Sequence, residues 1–344
     1  MHSAQSPCRP WPRQAREGIS VIESSVEEPM IANKTKEAPP QRGTLKLPSY
    51  VLITPARNEA QFIGITIDSV IAQTELPLKW IIVSDGSTDG TDDVVNAYAS
   101  RNHWIELLRI PERTERHFAG KAIAISAGLE RMKELSYEVI VCLDADVTFA
   151  PGYISFLLGK LAFDRSLGLV GTPYRDITSE TYDLHFVGEE HVSGACQVFR
   201  RACFEAIGGY RLVRGGAIDT IASTMARMKG WKTRSFPEEI CFHHRLMGTA
   251  ESGQMRARFN LGKRDYAIGN HPLWEVFRCA YQMTKKPFMV RALALWAGYM
   301  WGLLRYPERP VQEELVAFRR SEQMQRLKAK FAGLVPTVGV RRSQ

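Results

Sequence analysis

Apolar and polar positions alternate along this chain in blocks of two kinds. Short runs that are apolar at nearly every position occur at Tyr50–Thr54, Leu78–Ser84, Trp104–Ile110 and Glu138–Leu143. Between them, Glu59–Gln73, Asp92–Ser100 and Gly120–Lys133 place apolar residues at helical spacing. Strands alternating with helices predict a parallel sheet with helical crossovers. Runs without polar alternation predict strands covered on both faces. Beyond Pro151 the pattern predicts a helix at Tyr153–Phe163, a strand at Leu167–Thr172 and an extended stretch at Gly194–Phe199. Helices at Arg201–Ile207 and Ala217–Lys229 follow, then a largely extended Trp231–Phe242. There is no internal repeat.

The C-terminal part differs in character. Phe288–Leu304 is apolar or small except for Arg291. Such a run is short for a membrane span and suits a buried or an interfacial helix. Lys285, Lys286, Arg305 and Arg309 flank it, and Trp296, Tyr299, Trp301 and Tyr306 lie within or beside it. Basic flanks with amphipathic aromatics suit a lipid headgroup region, so 285–309 is a candidate for peripheral membrane contact.

Charge sharpens this division. Residues 250–344 carry 17 Lys/Arg and 7 Asp/Glu, a local net of +10 against +8 for the whole chain. Basicity confined to one segment argues for a local anionic partner and against a nucleic-acid binder. Residues 1–46, rich in Pro, Ser, Glu and Arg and without an apolar core, read as a disordered leader with no signal peptide. The six cysteines form no Cys-x-x-Cys pair and no zinc spacing, which fits a reduced, cytoplasmic setting. The expected division is a leader (1–46), an α/β domain (47–250) and a basic, aromatic helical segment (251–344).

Candidate chemistry sits where strands end. Val139–Leu143 stops at Asp144-Ala145-Asp146, two carboxylates one position apart. Alone, the pair reads as an Asp-rich turn. At the carboxyl edge of an open α/β sheet it also suits Mg²⁺ or Mn²⁺ shared with substrate phosphates. Asp85 follows the second strand and opens Asp85-Gly86-Ser87-Thr88-Asp89-Gly90-Thr91, which turn formation alone would explain. Pro55-Ala56-Arg57-Asn58-Glu59 follows the first strand. Lys121 opens a helix, where a cation opposes the dipole and so points to a phosphate contact.

Thr54 to Glu59, Asp85 to Thr91, Gly120-Lys121-Ala122 and Asp144-Ala145-Asp146, in this order and spacing, resemble the nucleotide-sugar half of the family 2 glycosyltransferases. The resemblance covers residues 49–150 and continues more weakly to about 245. It implies a GT-A fold (Rossmann-like, mostly parallel) with a nucleoside-diphosphate sugar donor, a divalent metal (Mg²⁺ or Mn²⁺) and inverting transfer. On that resemblance Pro55, Arg57, Glu59 and Asp85 would hold the nucleoside. Lys121 would lie near base or phosphates, Asp144 would contact ribose or metal, and Asp146 would ligate the metal. Gly215-Gly216-Ala217-Ile218-Asp219 resembles the family's Glu-Asp pair with Ile218 in the Glu position, which makes Asp219 the expected base.

His243-His244-Arg245 closes a later strand. Alternation lets at most one His serve the site. The same resemblance implies a late His on the metal or diphosphate, expected here at His244 with His243 as the alternative, and Arg245 suits a bidentate phosphate clamp. The Gln-x-x-Arg-Trp motif of processive synthases is absent, favouring single-sugar transfer. The expected acceptor is a saccharide, or a lipid-linked saccharide of envelope or exopolysaccharide synthesis, met in the cytoplasm or at the inner face of the plasma membrane. Rival expectations are a sugar nucleotidyltransferase and a non-catalytic nucleotide-sugar-binding protein.

Overall fold

A computed structural model describes residues 46–111, 119–176, 188–213, 216–245, 254–283, 289–306 and 308–332. The leader apart from Lys46, Gly215, Lys285, Lys286 and Phe288 therefore lie outside the described residues.

The strands are β1 (Tyr50–Ala56), β2 (Trp80–Asp85), β3 (Ile105–Ile110), β4 (Val139–Leu143), β5 (Val147–Thr148), β6 (Leu167–Gly171), β7 (Tyr174–Asp176), β8 (Cys196–Arg200), β9 (Lys232–Ser235) and β10 (Cys241–His243). The helices are α1 (Ile63–Ile71), α2 (Thr91–Ala99), α3 (Ala119–Arg131), α4 (Tyr153–Phe163), α5 (Arg201–Ala206), α6 (Ile218–Met228), α7 (Gln254–Ala267), α8 (Pro272–Met283), α9 (Val290–Arg305) and α10 (Glu313–Ala332). Seven strands form one sheet in the order β3-β2-β1-β4-β8-β6-β9. Strands β3, β2, β1 and β4 are parallel, and β8 runs antiparallel to both β4 and β6.

Period-two alternation splits the strand residues between two cores. Tyr50, Leu52, Trp80, Ile82, Val139 and Val141 face α1, α2 and α4. Val51, Ile53, Ile81, Val83, Ile140 and Cys142 face α3, α5 and α6. Helix α3 lies close on its face: a Cβ at Gly128 would come within 2.9 Å of Ile53. Burial of both strand faces agrees with the absence of polar alternation.

Trp80 is fully buried and donates its indole N–H to Thr54 Oγ1 at 3.0 Å. Thr54→Val removes that acceptor at nearly constant volume. It is expected to destabilise the fold by about 1–3 kcal/mol, read as a lower denaturant midpoint. An unchanged midpoint would show that the bond contributes nothing.

Two features depart from the sequence reading. The stretch Trp231–Phe242 is not one extended segment but β9 and β10, which belong to different sheets. Strand β10 joins β5 and β7 in a three-stranded sheet that periodicity did not announce. Strands of two or three residues are too short to show a period. This small sheet brings Asp146, just before β5, beside the end of β10.

Helix α9 has one buried face and one exposed face. Ala292, Leu295, Gly298, Tyr299 and Gly302 are buried, while Val290, Leu293, Trp301 and Leu304 are exposed. Among the described residues, no helix is long and apolar enough to cross a membrane. Helix α10 packs on α6, where Arg227 pairs bidentately with Glu322 at 2.6 and 2.9 Å.

Candidate active site

The carboxyl ends of parallel β1, β2 and β4 deliver three loops to one edge, as the connections of such a sheet require. After β1 the backbone turns at Asn58 with φ of 56°, a left-handed conformation that Asn tolerates better than most residues. The loop is fastened to the one after β2. Asn58 N donates to Ser87 Oγ (3.2 Å), Thr88 N to Asn58 Oδ1 (2.9 Å), Glu59 N to Thr91 Oγ1 (2.8 Å) and Ala60 N to Asp89 Oδ2 (3.0 Å). Most of the Asp-Gly-Ser-Thr-Asp-Gly-Thr run is thus occupied in holding the first loop. What remains directed at the edge is Asp85, with Arg57 Nη1 3.8 Å from its Oδ2. Pro55 is a residue of β1 near its carboxyl end, in register with Val83.

Lys121, in the first turn of α3, pairs with Asp144 and donates to Gly194 O at 3.0 Å. Burial opposes its charge, but Asp144 and, less strongly, Asp219 hold the ammonium above its ordinary pKa. Burial pushes Asp144 upward, and Lys121 restrains that rise. The misplaced helix-start cation therefore has two carboxylates for company.

Asp219 reaches the same place from α6. Ala217, with φ of 63°, turns the chain into the helix. Asp219 O accepts from Ser223 Oγ at 2.9 Å, and the amide of buried Gln197 lies 3.5 Å from the same oxygen. Tyr210 in turn donates to Gln197 Oε1. A side chain at Gly194 would begin 3.2–3.3 Å from the Asp219 carboxylate. The glycine leaves the carboxylate room beside Lys121. His191 belongs to this neighbourhood as well: burial lowers its pKa to about 4 against the opposing pull of Asp219.

On the other flank lie Asp146, Glu59, His243 and Arg245. Arg245 pairs with Glu59, and its Nε is 3.5 Å from Asp146 Oδ2. Its guanidinium also lies 5.4 Å over the Phe62 ring. Burial and the nearby Asp146 raise Glu59 to about 7, with Arg245 opposing. His243 is buried, with Nε2 3.4 Å from Asp146 Oδ1 and Nδ1 against the Arg245 carbonyl. A carbonyl only accepts, so Nδ1 carries the hydrogen. Nε2 and the Asp146 carboxylate then face each other as two acceptors unless a proton or a cation lies between them. His244 turns away, its Nε2 on Thr148 Oγ1 at 2.8 Å.

The geometry thus sets His243 beside Asp146 and turns the expected His244 onto Thr148, against what the β10–β5 register alone would give. Among the described residues no three His, Cys, Asp or Glu side chains converge as a ready-made metal site. Asp146 and His243 are a two-donor set. That suits a cation completing its shell with substrate phosphate oxygens, as Mg²⁺-type sites commonly do. Arg245 stands on the Glu59 and Asp146 carboxylates.

Asp144, Asp146, Lys121, Asp219, Glu59 and Arg245 are therefore brought together at one edge of the sheet. Gln197, Gly194 and His191 were missed by the sequence reading. They come from the segment around β8, which carries no motif and gains meaning only when it crosses the edge beside β4.

Residues 51–208 match the family model of Glycosyl transferase family 2. The chain is similar to chondroitin synthase of Pasteurella multocida, with 26% identity over 135 residues that make up 39% of this chain and 13% of that protein. It is similar also to 4,4'-diaponeurosporenoate glycosyltransferase of Staphylococcus aureus, with 29% identity over 136 residues, 39% of this chain and 34% of that one. The matched stretch thus spans well under two thirds of these relatives' length. Among solved structures, a mannosyltransferase from Pyrobaculum calidifontis in complex with GDP-Man and Mn²⁺ superposes with a TM-score of 0.52 at 21% identity, covering 84% of this chain and 81% of that one. That likeness shows the fold, GT-A.

Proposed function

We propose, on the premise that this chain is a family 2 glycosyltransferase, that it moves one sugar from a nucleoside-diphosphate sugar to an acceptor hydroxyl, with inversion at the anomeric carbon. The observation that carries the reading is the pairing across Gly194: the Asp219 carboxylate on one side, the Lys121–Asp144 ion pair on the other. A base and a cation held apart in one crevice match a displacement in which a proton leaves on one side and negative charge grows on the other.

In this reading Arg57 and Asp85 face the nucleoside. Lys121 and Arg245 meet the diphosphate, whose charge rises as the bond from C1 to the phosphate oxygen breaks. Asp219 takes the proton from the acceptor hydroxyl as its oxygen bonds to C1 from the opposite face. Positioning and charge stabilisation at the leaving group supply much of the acceleration. Asp146 and His243 would hold a bound Mg²⁺ or Mn²⁺, which supplies Lewis-acid neutralisation of the diphosphate. The P. calidifontis mannosyltransferase, with its GDP-Man and Mn²⁺, supports that cofactor and donor class by analogy. The acceptor class we favour is a lipid-linked saccharide, given the basic, aromatic C-terminal helices.

A panel of nucleoside-diphosphate sugars with Mn²⁺ tests the reading. Slow release of free sugar and nucleoside diphosphate from one donor is expected, since water substitutes poorly for the acceptor. Pyrophosphate release from a nucleoside triphosphate and a sugar phosphate would instead show a nucleotidyltransferase. Donor binding with no turnover toward water or any saccharide would leave a binding protein.

A further inference from the structure

Helices α7 and α9 meet backbone to backbone. A Cβ at Gly262 would fall 1.9 Å from Leu295 O, and one at Gly298 would fall 1.9 Å from Phe259 O. Contact this close fixes which face of α9 turns outward. That face carries Val290, Leu293, Ala297, Trp301 and Leu304, exposed and apolar at spacings of three, four, four and three. At 1.5 Å per residue the stripe is about 21 Å long. Trp301 is 52% and Leu304 81% exposed. A continuous apolar stripe of this size on a surface marks an interaction site.

The charges around it select the partner. Helix α7 carries Arg256, Arg258, Lys263 and Arg264, and α9 carries Arg291 and Arg305. Their single acid, Asp265, is buried and ion-paired with Arg278. Lys263 lies 5.8 Å from the centre of the Tyr306 ring, an amphipathic aromatic at the end of the stripe. A second copy of the chain would bring the same cations against one another, which disfavours self-association. Anionic headgroups complement them, while the stripe inserts among the acyl chains.

We propose that the outer face of α9, with the cationic flank of α7, seats this protein on an anionic bilayer surface. The helix lies in the interface and does not cross it. Arg264 on α7 is near enough to Tyr174 to oppose weakly the burial and carboxylates that raise it, and Tyr174 lies 5.9 Å from His243 ring to ring. A docked protein would therefore hold its site close to the membrane, where a lipid-linked acceptor is presented. Docking stands apart from the chemistry: it is read without turnover, and its failure leaves the transfer reading intact.

The test is flotation of the full chain with vesicles of neutral phosphatidylcholine, alone or with 30% phosphatidylglycerol added. Binding is expected on the anionic vesicles, weakened by high salt. The exposed substitutions Leu293→Glu, Trp301→Glu and Leu304→Glu together are expected to weaken it about tenfold or more, with the thermal midpoint and donor affinity retained. Arg291→Glu with Arg305→Glu should remove the preference for anionic vesicles. Equal recovery in the unbound fraction with both vesicle types would overturn the proposal. So would a wild-type dimer that the Leu293/Trp301/Leu304 variant converts to monomer without any vesicle binding in the parent.

Discussion

Asp219→Asn is expected to lower turnover by about 10²–10⁴-fold, the usual contribution of a positioned base, while donor affinity stays within about twofold of the parent. The substitution keeps shape and removes the proton acceptor. Its backbone partner Ser223 is untouched, since that bond goes to the Asp219 carbonyl. Lys121 keeps Asp144 as its main partner. Loss of a carboxylate from the first turn of α6 weakens a favourable dipole contact by only about 0.3–1 kcal/mol, so the fold should survive. His191 is the competing base: with its pKa near 4 it is neutral at pH 7, and Asp219 lies close enough to influence it. His191→Gln therefore belongs in the same assay. Turnover of Asp219→Asn within about fivefold of the parent would remove Asp219 from the base role. A far larger loss in His191→Gln would transfer that role to the histidine.

The central sheet was legible because β1, β2 and β4 are buried on both faces and their apolar runs end abruptly. Asp85, Asp144 and Asp146 could be placed at one edge from that fact alone. The division of labour within the loops was less legible. In the Asp85–Thr91 run, Ser87, Thr88, Asp89 and Thr91 bond the loop after β1, so a segment that looks ligand-binding is largely a brace. Which histidine faces Asp146 depended on the path of the chain just outside β5 and β10, strands of two and three residues, because their register alone would set His244 opposite Asp146. Alternation said that one of the pair could serve, and only the side-chain contacts said which. Gly194 and Gln197 were invisible for another reason: a glycine that makes room and a glutamine that supports a helix start leave no pattern in the chain. Helix α9 showed its length in the sequence but not its orientation, which the glycine contact with α7 decides.

Asp146→Asn is expected to abolish the gain in donor affinity that Mn²⁺ confers. Loss of a mere outer-shell partner typically costs about 10–100-fold in metal affinity, and Asp146 would be a direct ligand, so the loss should be at least that large. Calorimetry of the matching nucleoside diphosphate with Mn²⁺ and with EDTA reads it directly, and Mn²⁺ paramagnetic resonance reads metal binding without any turnover. The neighbouring groups give the experiment its resolution. Arg245 retains Glu59 when Asp146 is neutralised, and the Nδ1 contact of His243 to the Arg245 carbonyl is independent of it. The loss should therefore be specific to the cation, with the thermal midpoint near that of the parent. His243→Gln should follow Asp146→Asn in direction, because its Nε2 faces the same carboxylate. His244→Gln should leave Mn²⁺ affinity unchanged, because that ring is bonded to Thr148. An Asp146→Asn protein that still gains donor affinity from Mn²⁺ like the parent would defeat the site. A His244→Gln loss larger than that of His243→Gln would instead assign the metal-facing role to His244.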